Sequence, residues 1–413
     1  MQDNLRAFGM PVEKGRWIFV ALGLVIHLCL GSVYSWSVFR KPLEQLFDVG
    51  ATESGLPYMV FLAFFAALMP IAGRLLNKYG PRLVTLLGGV IVGVGWILAS
   101  FSTSMPLLTL TYGIIAGSGV GIVYGGPIAV STKWFPDRKG VAAGLTLAGF
   151  GLSALITAPV ARMLIASQGP LRTFSILGTV FLVVIVLLAL PLKFPSIDWK
   201  PAGWKQTETT TVEVDVDTSK MLRTSTFYGL WICYIIGTLS GLMTIGISSP
   251  VGQEVIRLDP TMAAMAVSIF AIFNGAGRPL FGWITDRLAP RYSAIIAFVI
   301  IFGASLGMLG AGEGEMLLYM ICFSAFWLTL GGWLAIAPPA TATFFGTKRY
   351  AKNYGVVFTA YGMGAILGTL ISGRLRDAFG SYIYAFYPTA ALAVIGIIIA
   401  VLMLRPRKKR TSP

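Results

Sequence analysis

Charged side chains are scarce in this chain. Of its 413 residues, 12% are Asp, Glu, Lys or Arg, whereas 56% are hydrophobic, and the mean hydropathy is +0.77. A soluble domain carries about 25% charged residues, so the composition excludes an ordinary soluble protein. Apolar runs of about 20 residues or more recur from end to end, and each is long enough to cross a hydrocarbon core of about 30 Å. The sequence therefore predicts an integral membrane protein with no separate soluble domain.

We expect twelve membrane spans, numbered 1 to 12 in chain order. Their predicted limits are residues 17–39, 54–77, 82–102, 106–130, 140–166, 172–193, 226–250, 261–284, 291–312, 315–339, 351–375 and 381–404. Glycine (48 residues) and proline (22) are abundant, which suits closely packed transmembrane helices. Cys29, Cys233 and Cys322 all lie inside predicted spans, so we expect small core residues. No metal or cofactor is predicted.

Lysine and arginine are unevenly distributed between the two sets of connecting segments. If the amino terminus is inside, the inner segments carry 24 of the 32 basic residues and the outer loops carry 7. This asymmetry predicts an inner (plasma) membrane protein with both termini in the cytoplasm. Topology therefore explains the net charge of +15, and no nucleic-acid partner is needed. The one basic residue left over is Arg278.

The chain is predicted to consist of two six-helix halves, residues 1–194 and 226–404. Residues 195–225 are the only long polar stretch and indicate a cytoplasmic linker. Residues 405–413 form a basic tail, expected either to anchor the topology or to lie against anionic lipid headgroups. The segment "GRLLNKYGPR" after span 2 recurs as "GWITDRLAPR" after span 8, and a second pair recurs after spans 4 and 10. Repeated halves of this kind are typical of transporters.

The motif G-x-x-x-D-R-x-x-x-R after span 8 resembles the loop motif of the major facilitator superfamily. Its residues are Gly282, Asp286, Arg287 and Arg291, with Gly73, Asn77 and Arg82 in the first-half copy. The resemblance implies an all-α membrane protein of twelve transmembrane helices, the major facilitator fold, which alternates between inward-open and outward-open states. It also implies that these seven residues form a conformational latch. Because asparagine replaces the usual aspartate in the first copy, a weaker charge latch is expected there.

Further motifs, distributed over nearly the whole chain, narrow this resemblance. They are "GSVYSW" in span 1, "GSGVGIVYGGPIAVSTKWFPDRKGVAAGLTLAGFG" across spans 4 and 5, "MLRTSTFYGLW" entering span 7, "FNGAGRPLFGWITD" in span 8 and "KNYGVVFTAYGMGAILG" in span 11. In these segments the chain is similar to bacterial oxalate/formate exchangers and to monocarboxylate transporters. The resemblance implies secondary transport of small organic anions. An enzyme is not expected, because a nucleophile with its base, or a set of metal ligands, is missing from the spans.

Apart from span ends, the only ionisable side chains inside the predicted spans are Arg278 and His27. Burying an arginine costs roughly 2.5 to 3.5 kcal/mol on insertion scales, so Arg278 needs a partner or an aqueous cavity. It lies on the order of 12 Å from the end of span 8, too deep to reach the surface easily. With no carboxylate predicted inside the spans, we expect the substrate to supply one, bound through two hydrogen bonds. In both related groups an arginine at this place binds the substrate carboxylate.

The rest of the predicted substrate site is polar on one side and aliphatic on the other. Tyr361 lies at the depth of Arg278, where oxalate exchangers carry a second cation. A single fixed cation favours a monoanion such as L-lactate or pyruvate. The other expected residues are Asn274, one helical turn from Arg278, the family-matched tyrosines Tyr124 and Tyr34, which are equally compatible with packing, and the aliphatic Leu28, Leu145, Leu330 and Leu334.

The sequence identifies the proton-coupling group less directly than it identifies the substrate site. Eukaryotic monocarboxylate transporters use a lysine in span 1 and an aspartate four residues before the span 8 arginine. This chain has no lysine in span 1, and Asn274 occupies the aspartate position. His27 is either a proton-coupling group or a packing residue; alternatively, the substrate acid or the solvation of Arg278 sets the coupling. We expect proton-coupled symport of a monocarboxylate, with oxalate/formate exchange as the alternative.

Overall fold

The computed structural model describes residues 6–196, 199–201, 216–346 and 349–404. The predicted basic tail and residues 202–215 of the predicted linker lie outside the described residues. Within the described chain, nine helices are long and apolar enough to cross a membrane. The strands Arg6–Ala7 and Met10–Pro11 pair antiparallel before the first long helix, and the short helix Thr218–Met221 precedes the fifth.

The nine long helices form the membrane bundle. Their bounds are Val12–Phe47, Ala51–Ala99, Met105–Trp134, Lys139–Ala189, Ser225–Glu254, Pro260–Leu309, Met316–Phe345, Tyr350–Phe379 and Tyr382–Met403. Three of them combine several helical pieces. The first consists of Val12–Leu30, the 3-10 turn Gly31–Ser35 and Trp36–Phe47. The third consists of Met105–Leu108, the π-helix Thr109–Ala116, Gly117–Val123 and Gly125–Trp134. The ninth consists of the 3-10 turn Tyr382–Ala385 and Phe386–Met403.

The second, fourth and sixth long helices have 49, 51 and 50 residues, about twice the length that one crossing needs. Each is interrupted where a residue with positive φ precedes a proline: Gly80, Gly169 and Ala289. Proline disfavours helical backbone in the residue before it but is accepted in the first turn of a helix. Each break therefore ends one span and begins the next. The predicted twelve spans are confirmed, with spans 2 and 3, 5 and 6, and 8 and 9 joined in this way.

Span 1 is longer than predicted, and this corrects the inventory of buried charges. It continues to Phe47 instead of ending at residue 39, so Arg40 lies inside it with only 1% of its surface exposed. Arg16, near the start of span 1, is also buried. The predicted inventory, which set span ends aside, therefore omits two buried arginines, Arg16 and Arg40, one near each end of the predicted span 1. A hydropathy pattern stops at a polar residue, whereas the helix continues wherever hydrogen bonds satisfy the charge.

An even number of crossings brings both ends of the described chain to one side of the bundle, which we call the terminus side. Here both Nη atoms of Arg16 donate to the carboxylate of Asp137, at 2.6 and 2.9 Å. These hydrogen bonds hold the pKa of the Asp137 carboxyl below its ordinary value. The start of span 1 is thereby attached to the connection between spans 4 and 5.

Span 1 contacts span 7 between the two halves, and the most extensive contacts between spans 1–6 and spans 7–12 are those of two helix pairs, span 2 with span 11 and span 5 with span 8. Glycine permits the close approach in both. A Cβ at Gly151 in span 5 would lie 2.9 Å from Asn274 Oδ1, and one at Gly362 in span 11 would lie 3.0 Å from the Cβ of Ala66 in span 2. The exact limits of the two halves and of the linker stay a prediction.

Ala289→Gly is expected to stabilise the protein. Ala289 has φ 68° and ψ 156°, a region in which a side chain costs about 1 to 3 kcal/mol and which glycine enters freely. Part of this gain is lost to the larger chain entropy of glycine in the unfolded state, so we expect a net gain of about 1 kcal/mol. Thermal denaturation of the purified protein in detergent measures it.

The reciprocal change provides the control. Gly80 occupies the matching position in the first half, with φ 77° and ψ 169°. Gly80→Ala should therefore lower the unfolding temperature. If Ala289→Gly unfolds at or below the wild-type temperature, backbone strain at this break is not the dominant effect.

Candidate functional site

Arg278 lies deep inside span 8, eleven residues before the break at Ala289 and therefore about 16 Å from the terminus-side end. Its Nη1 donates a 2.6 Å hydrogen bond to the backbone carbonyl of Leu147 in span 5. Nε and Nη2 are buried and have no hydrogen-bond partner among the described residues. These two nitrogens form one edge of the planar guanidinium, the geometry that matches the two oxygens of a carboxylate. Arg278 is thus held by one nitrogen and unpaired at two.

Asn274 and Gly151 lie next to this unpaired edge. Asn274 Nδ2 donates to the carbonyl of Trp327 in span 10 at 3.1 Å, whereas its Oδ1 is buried and unpaired. A Cβ at Gly151 would lie 2.9 Å from that Oδ1 and 3.3 Å from Arg278 Nε. A larger side chain at position 151 would therefore fill the space beside both polar groups.

Tyr34 and Tyr124 lie near Arg278, and Tyr361 is connected to this group through Tyr34. The hydroxyls of Tyr34 in span 1 and Tyr361 in span 11 are hydrogen-bonded to each other at 3.0 Å. The hydroxyl of Tyr124 in span 4 is close enough to interact with the guanidinium, whose charge also acts on Tyr34. The structure therefore brings together Arg278, Asn274 and the three predicted tyrosines, although they come from spans 1, 4, 8 and 11.

Phenylalanine rings enclose these hydroxyls. Phe150 packs edge-on against Tyr34 at 5.1 Å, Phe65 lies 5.0 Å from Tyr124, and Phe358 stacks on Tyr361 at 5.1 Å between ring centroids. Such an apolar surrounding lowers the local dielectric constant, so a charge bound at Arg278 interacts with it more strongly than it would in water.

His27 is completely buried in span 1, edge-on to the ring of Tyr124 with centroids 5.2 Å apart. Its Nδ1 lies 2.8 Å from the carbonyl of Gly23, and the tautomer that satisfies this contact carries its proton on Nδ1. Nε2 is then unprotonated, and it makes no hydrogen bond within the described residues. Arg278 is close enough for its charge to act on the imidazole.

The predicted aliphatic residues occupy unequal positions. Leu330 is fully buried, and its Cβ lies 2.5 Å from where Gly241 of span 7 would carry one, so Leu330 belongs to the packing between spans 10 and 7. Leu28 and Leu334 are half-buried, and Leu145 is 42% exposed. Their contribution to a substrate site stays a prediction.

Two groups at the site have no counterpart in the sequence interpretation. Tyr234 of span 7 is fully buried, its hydroxyl lies near that of Tyr354 in span 11, and Arg278 is close enough for its charge to act on it. The run "YGLWICYIIG" around it carries no signal that separates it from a packing residue. Leu147 contributes only a backbone carbonyl, which residue type does not encode. No group of three or more metal-ligating side chains occurs among the residues that the structure describes.

Comparison with known proteins agrees with this architecture. The sequence profile of the Major Facilitator Superfamily matches residues 20–343 and 230–413. The chain belongs to the major facilitator superfamily. It is therefore a membrane-spanning transporter. The structure of a bacterial homologue of the human lysosomal transporter Spinster, in an inward-facing and occupied conformation, superimposes with a TM-score of 0.67 over 94% of this chain and 95% of that one; at 16% identity this likeness shows the fold alone.

Sequence relatives include transporters of small organic anions. The oxalate:formate antiporter of Oxalobacter formigenes is 30% identical to this chain, and the match covers 95% of this chain and 94% of the antiporter. Monocarboxylate transporter 13 of Rattus norvegicus is 27% identical, and the match covers 89% of this chain and 84% of that relative. Human monocarboxylate transporter 2 is 24% identical, and the match covers 93% of this chain and 84% of that relative.

Charged side chains join the two halves of the transporter on the side away from the termini, which we call the far side. The ammonium of Lys41 in span 1 pairs with the carboxylate of Glu254 at the end of span 7, and Arg376 of span 11 pairs with the same carboxylate. The carboxylate of Asp377 accepts hydrogen bonds from the first two N–H groups of span 2, residues 51 and 52, at 2.9 and 2.8 Å. Span 2 is thus capped by a residue of the opposite half.

Arg40 completes the far-side contacts. Nε donates to Ser54 Oγ at 3.0 Å and Nη1 to the carbonyl of Gly246 in span 7 at 3.3 Å, while Nη2 donates to the carbonyl of Ala51. Each guanidinium nitrogen therefore has a partner, in contrast to Arg278. The transporter is closed on the far side.

The latch motif lies at the opposite end of the bundle. A Cβ at Gly73 or Gly282 would meet nothing within 4 Å. Arg287 lies over the ring of Trp283 at 5.0 Å and Arg291 over Tyr292 at 5.7 Å, so both contacts stay within spans 8 and 9. The latch role of Gly282, Asp286, Arg287 and Arg291, and of Gly73, Asn77 and Arg82, stays a prediction.

Asp377→Asn is expected to weaken closure of the far side. Hydrogen bonds to a charged group contribute about 1.5 to 3 kcal/mol, and the amide loses the charge and one acceptor oxygen. The population opened on the far side should rise about tenfold. A cysteine at Thr369, which is buried against Gly55 of the other half, reports this through its rate of maleimide labelling in an otherwise cysteine-free protein.

Asp259→Asn is the matched control. Asp259 caps span 8 through the N–H groups of Thr261 and Met262, at 2.9 and 3.1 Å, entirely within its own half. This change should cost stability without accelerating labelling. Equal labelling rates in Asp377→Asn and wild type would show that the cap between the halves does not control opening.

Proposed function

We propose that the transporter moves small monocarboxylates, such as L-lactate or pyruvate, across the inner membrane by proton-coupled symport with alternating access. The observation that carries the proposal is the unpaired Nε and Nη2 edge of Arg278, buried in the interior of the bundle. A guanidinium in this environment is stabilised when an anion binds it, and a carboxylate fits this edge with two parallel hydrogen bonds.

The surroundings of Arg278 favour one negative charge over two. Tyr361, Tyr34 and Tyr124 contribute neutral hydroxyls, which donate hydrogen bonds but do not balance charge. Arg40, an almost completely buried arginine of span 1, is fully engaged at the far side. A dianion such as oxalate would keep one charge uncompensated in an apolar enclosure, which is costly.

Closure of the far side indicates how the substrate reaches Arg278. The positive-inside rule predicts that the terminus side is cytoplasmic. With that topology, the far-side contacts of Asp377 and Glu254 seal the outer face, and the conformation corresponds to an inward-facing state. Alternating access then requires these contacts to break while the terminus side closes.

His27 supports coupling to a proton. Its unpaired Nε2 can accept one, but burial and, to a smaller extent, the nearby charge of Arg278 oppose a positive charge there. A bound carboxylate neutralises Arg278 and removes the second of these two effects, so anion and proton bind more tightly together than either binds alone. This reciprocity is what symport needs, and it works without the aspartate that Asn274 replaces.

Exchange of the oxalate/formate type is the second candidate. The relative that is 30% identical over 95% of the chain is named as an oxalate:formate antiporter. Formate is a monoanion and fits the Arg278 edge, whereas oxalate meets the charge problem described above. Uptake of labelled oxalate into formate-loaded proteoliposomes, faster than into empty ones, would favour this function.

Arg278→Gln should abolish binding of the acid while leaving the protein folded. Removing one member of a buried charge pair costs about 2 to 5 kcal/mol, so L-lactate affinity should fall at least about 30-fold. Uptake of labelled L-lactate into proteoliposomes and ligand-induced thermal stabilisation in detergent both measure the effect. Arg172 is an exposed arginine of span 6, and Arg172→Gln is the matched control. Wild-type affinity in Arg278→Gln would falsify the role of Arg278 as the carboxylate anchor.

His27→Asn should separate anion binding from proton coupling. The amide can still donate to the Gly23 carbonyl but cannot take up a proton at neutral pH. L-lactate binding should persist, while stimulation of uptake by an imposed inward proton gradient should disappear. A variant that still responds to the gradient removes His27 from the coupling role; wild-type uptake that ignores the gradient contradicts symport itself.

A further inference from the structure

A groove runs along the bilayer-facing surface of spans 11 and 12, near the far side of the bundle and separate from the Arg278 site. Its volume is about 670 Å³. Leu367, Leu370 and Ile371 line its deeper part, and Phe379 and Tyr387 line the part nearer the far-side ends of the two spans. Phe379 is 60% and Tyr387 57% exposed, so the groove opens on the surface that faces the bilayer.

Arg374 lies in the wall of this groove, the one charged residue among those that line it. It is exposed, and no hydrogen bond or ion pair engages it within the described chain, whereas its neighbours Arg376 and Asp377 are committed to the far-side contacts. It precedes the end of span 11 at Phe379 by five residues, which places it about 8 Å inside that end. The long stem of an arginine at this depth brings its guanidinium to the membrane interface, where a lipid phosphate can pair with it.

We propose that the span 11/12 groove binds one anionic phospholipid. Its phosphate pairs with the Arg374 guanidinium, whose fork matches two phosphate oxygens. One acyl chain follows Leu367, Leu370 and Ile371, which precede Arg374 in the helix and therefore lie deeper in the membrane. Tyr384 and Tyr387 flank the phosphate at the level where tyrosines meet headgroups.

The lining of the groove selects the anionic headgroup. No carboxylate is among the residues that line it, so no negative charge there balances the ammonium of a zwitterionic lipid. A lipid with an uncompensated phosphate, such as phosphatidylglycerol, balances the charge of Arg374.

Native mass spectrometry of the full-length protein in detergent, titrated with dioleoylphosphatidylglycerol, tests the site. Arg374→Gln should weaken binding of the first lipid about tenfold or more. Arg172 is also an exposed arginine on the far side, and Arg172→Gln should leave the affinity for the first lipid unchanged. Dioleoylphosphatidylcholine should bind wild type at least several-fold more weakly. Unchanged affinity in Arg374→Gln, or equal affinity for the two lipids, overturns the proposal.

A second variant separates the acyl chain from the phosphate. Ile371→Trp fills the groove but keeps Arg374, and it should also weaken phosphatidylglycerol binding. Inorganic phosphate at millimolar concentration should fail to displace the lipid. Displacement by phosphate, or tight lipid binding by a correctly folded Ile371→Trp protein, would show that the groove itself is not the binding element.

Discussion

A guanidinium buried in a membrane with two unpaired nitrogens is the constraint on which the centre of this transporter depends. Hydrocarbon does not solvate Nε and Nη2 of Arg278, and no carboxylate of the described protein reaches them. The surrounding structure accommodates this charge without cancelling it. The Leu147 carbonyl holds Nη1, Gly151 leaves room beside Nε, and the neighbouring tyrosines supply hydroxyls without charge. The charge of Arg278 is therefore left without a counter-ion in the described chain, and this is the basis for the proposed carboxylate site.

Arg40 shows that burial of an arginine is not by itself a functional signal. It is less exposed than Arg278, yet its three nitrogens are bound to Ser54, Gly246 and Ala51. It therefore stabilises the contact between the halves and has no edge left for a ligand. Arg374 represents a third case, in which the guanidinium faces lipid and is unpaired by the protein. Hydrogen-bond pairing, and not depth, distinguishes the three.

Closure of the far side rests on polar contacts that can be exchanged for water. Asp377 caps span 2 across the interface, and Glu254 pairs with a cation from each half. Near the membrane surface such contacts contribute a few kcal/mol at most, because water and ions compete for each partner. A transporter needs this balance, since two conformations must lie close enough in free energy for a small substrate to shift their populations.

Local patterns in the sequence were sufficient for the number of spans and for the position of Arg278 deep inside span 8. Hydrophobic length predicts a crossing, and position within one helix follows from a fixed rise per residue. These properties depend on neighbours in the chain. Local patterns did not predict contacts between distant segments. These contacts are the burial of Arg40, the packing of Leu330 against span 7, and the positions of Tyr234 and the Leu147 carbonyl at the Arg278 site. Only the tertiary structure decides which buried polar atoms are paired, because pairing depends on groups that lie 100 or more residues apart in the chain, as Leu147 and Arg278 do. The sequence therefore determined where the charge lies, and the packing of the two halves determined that two of its nitrogens have no hydrogen-bond partner in the described chain.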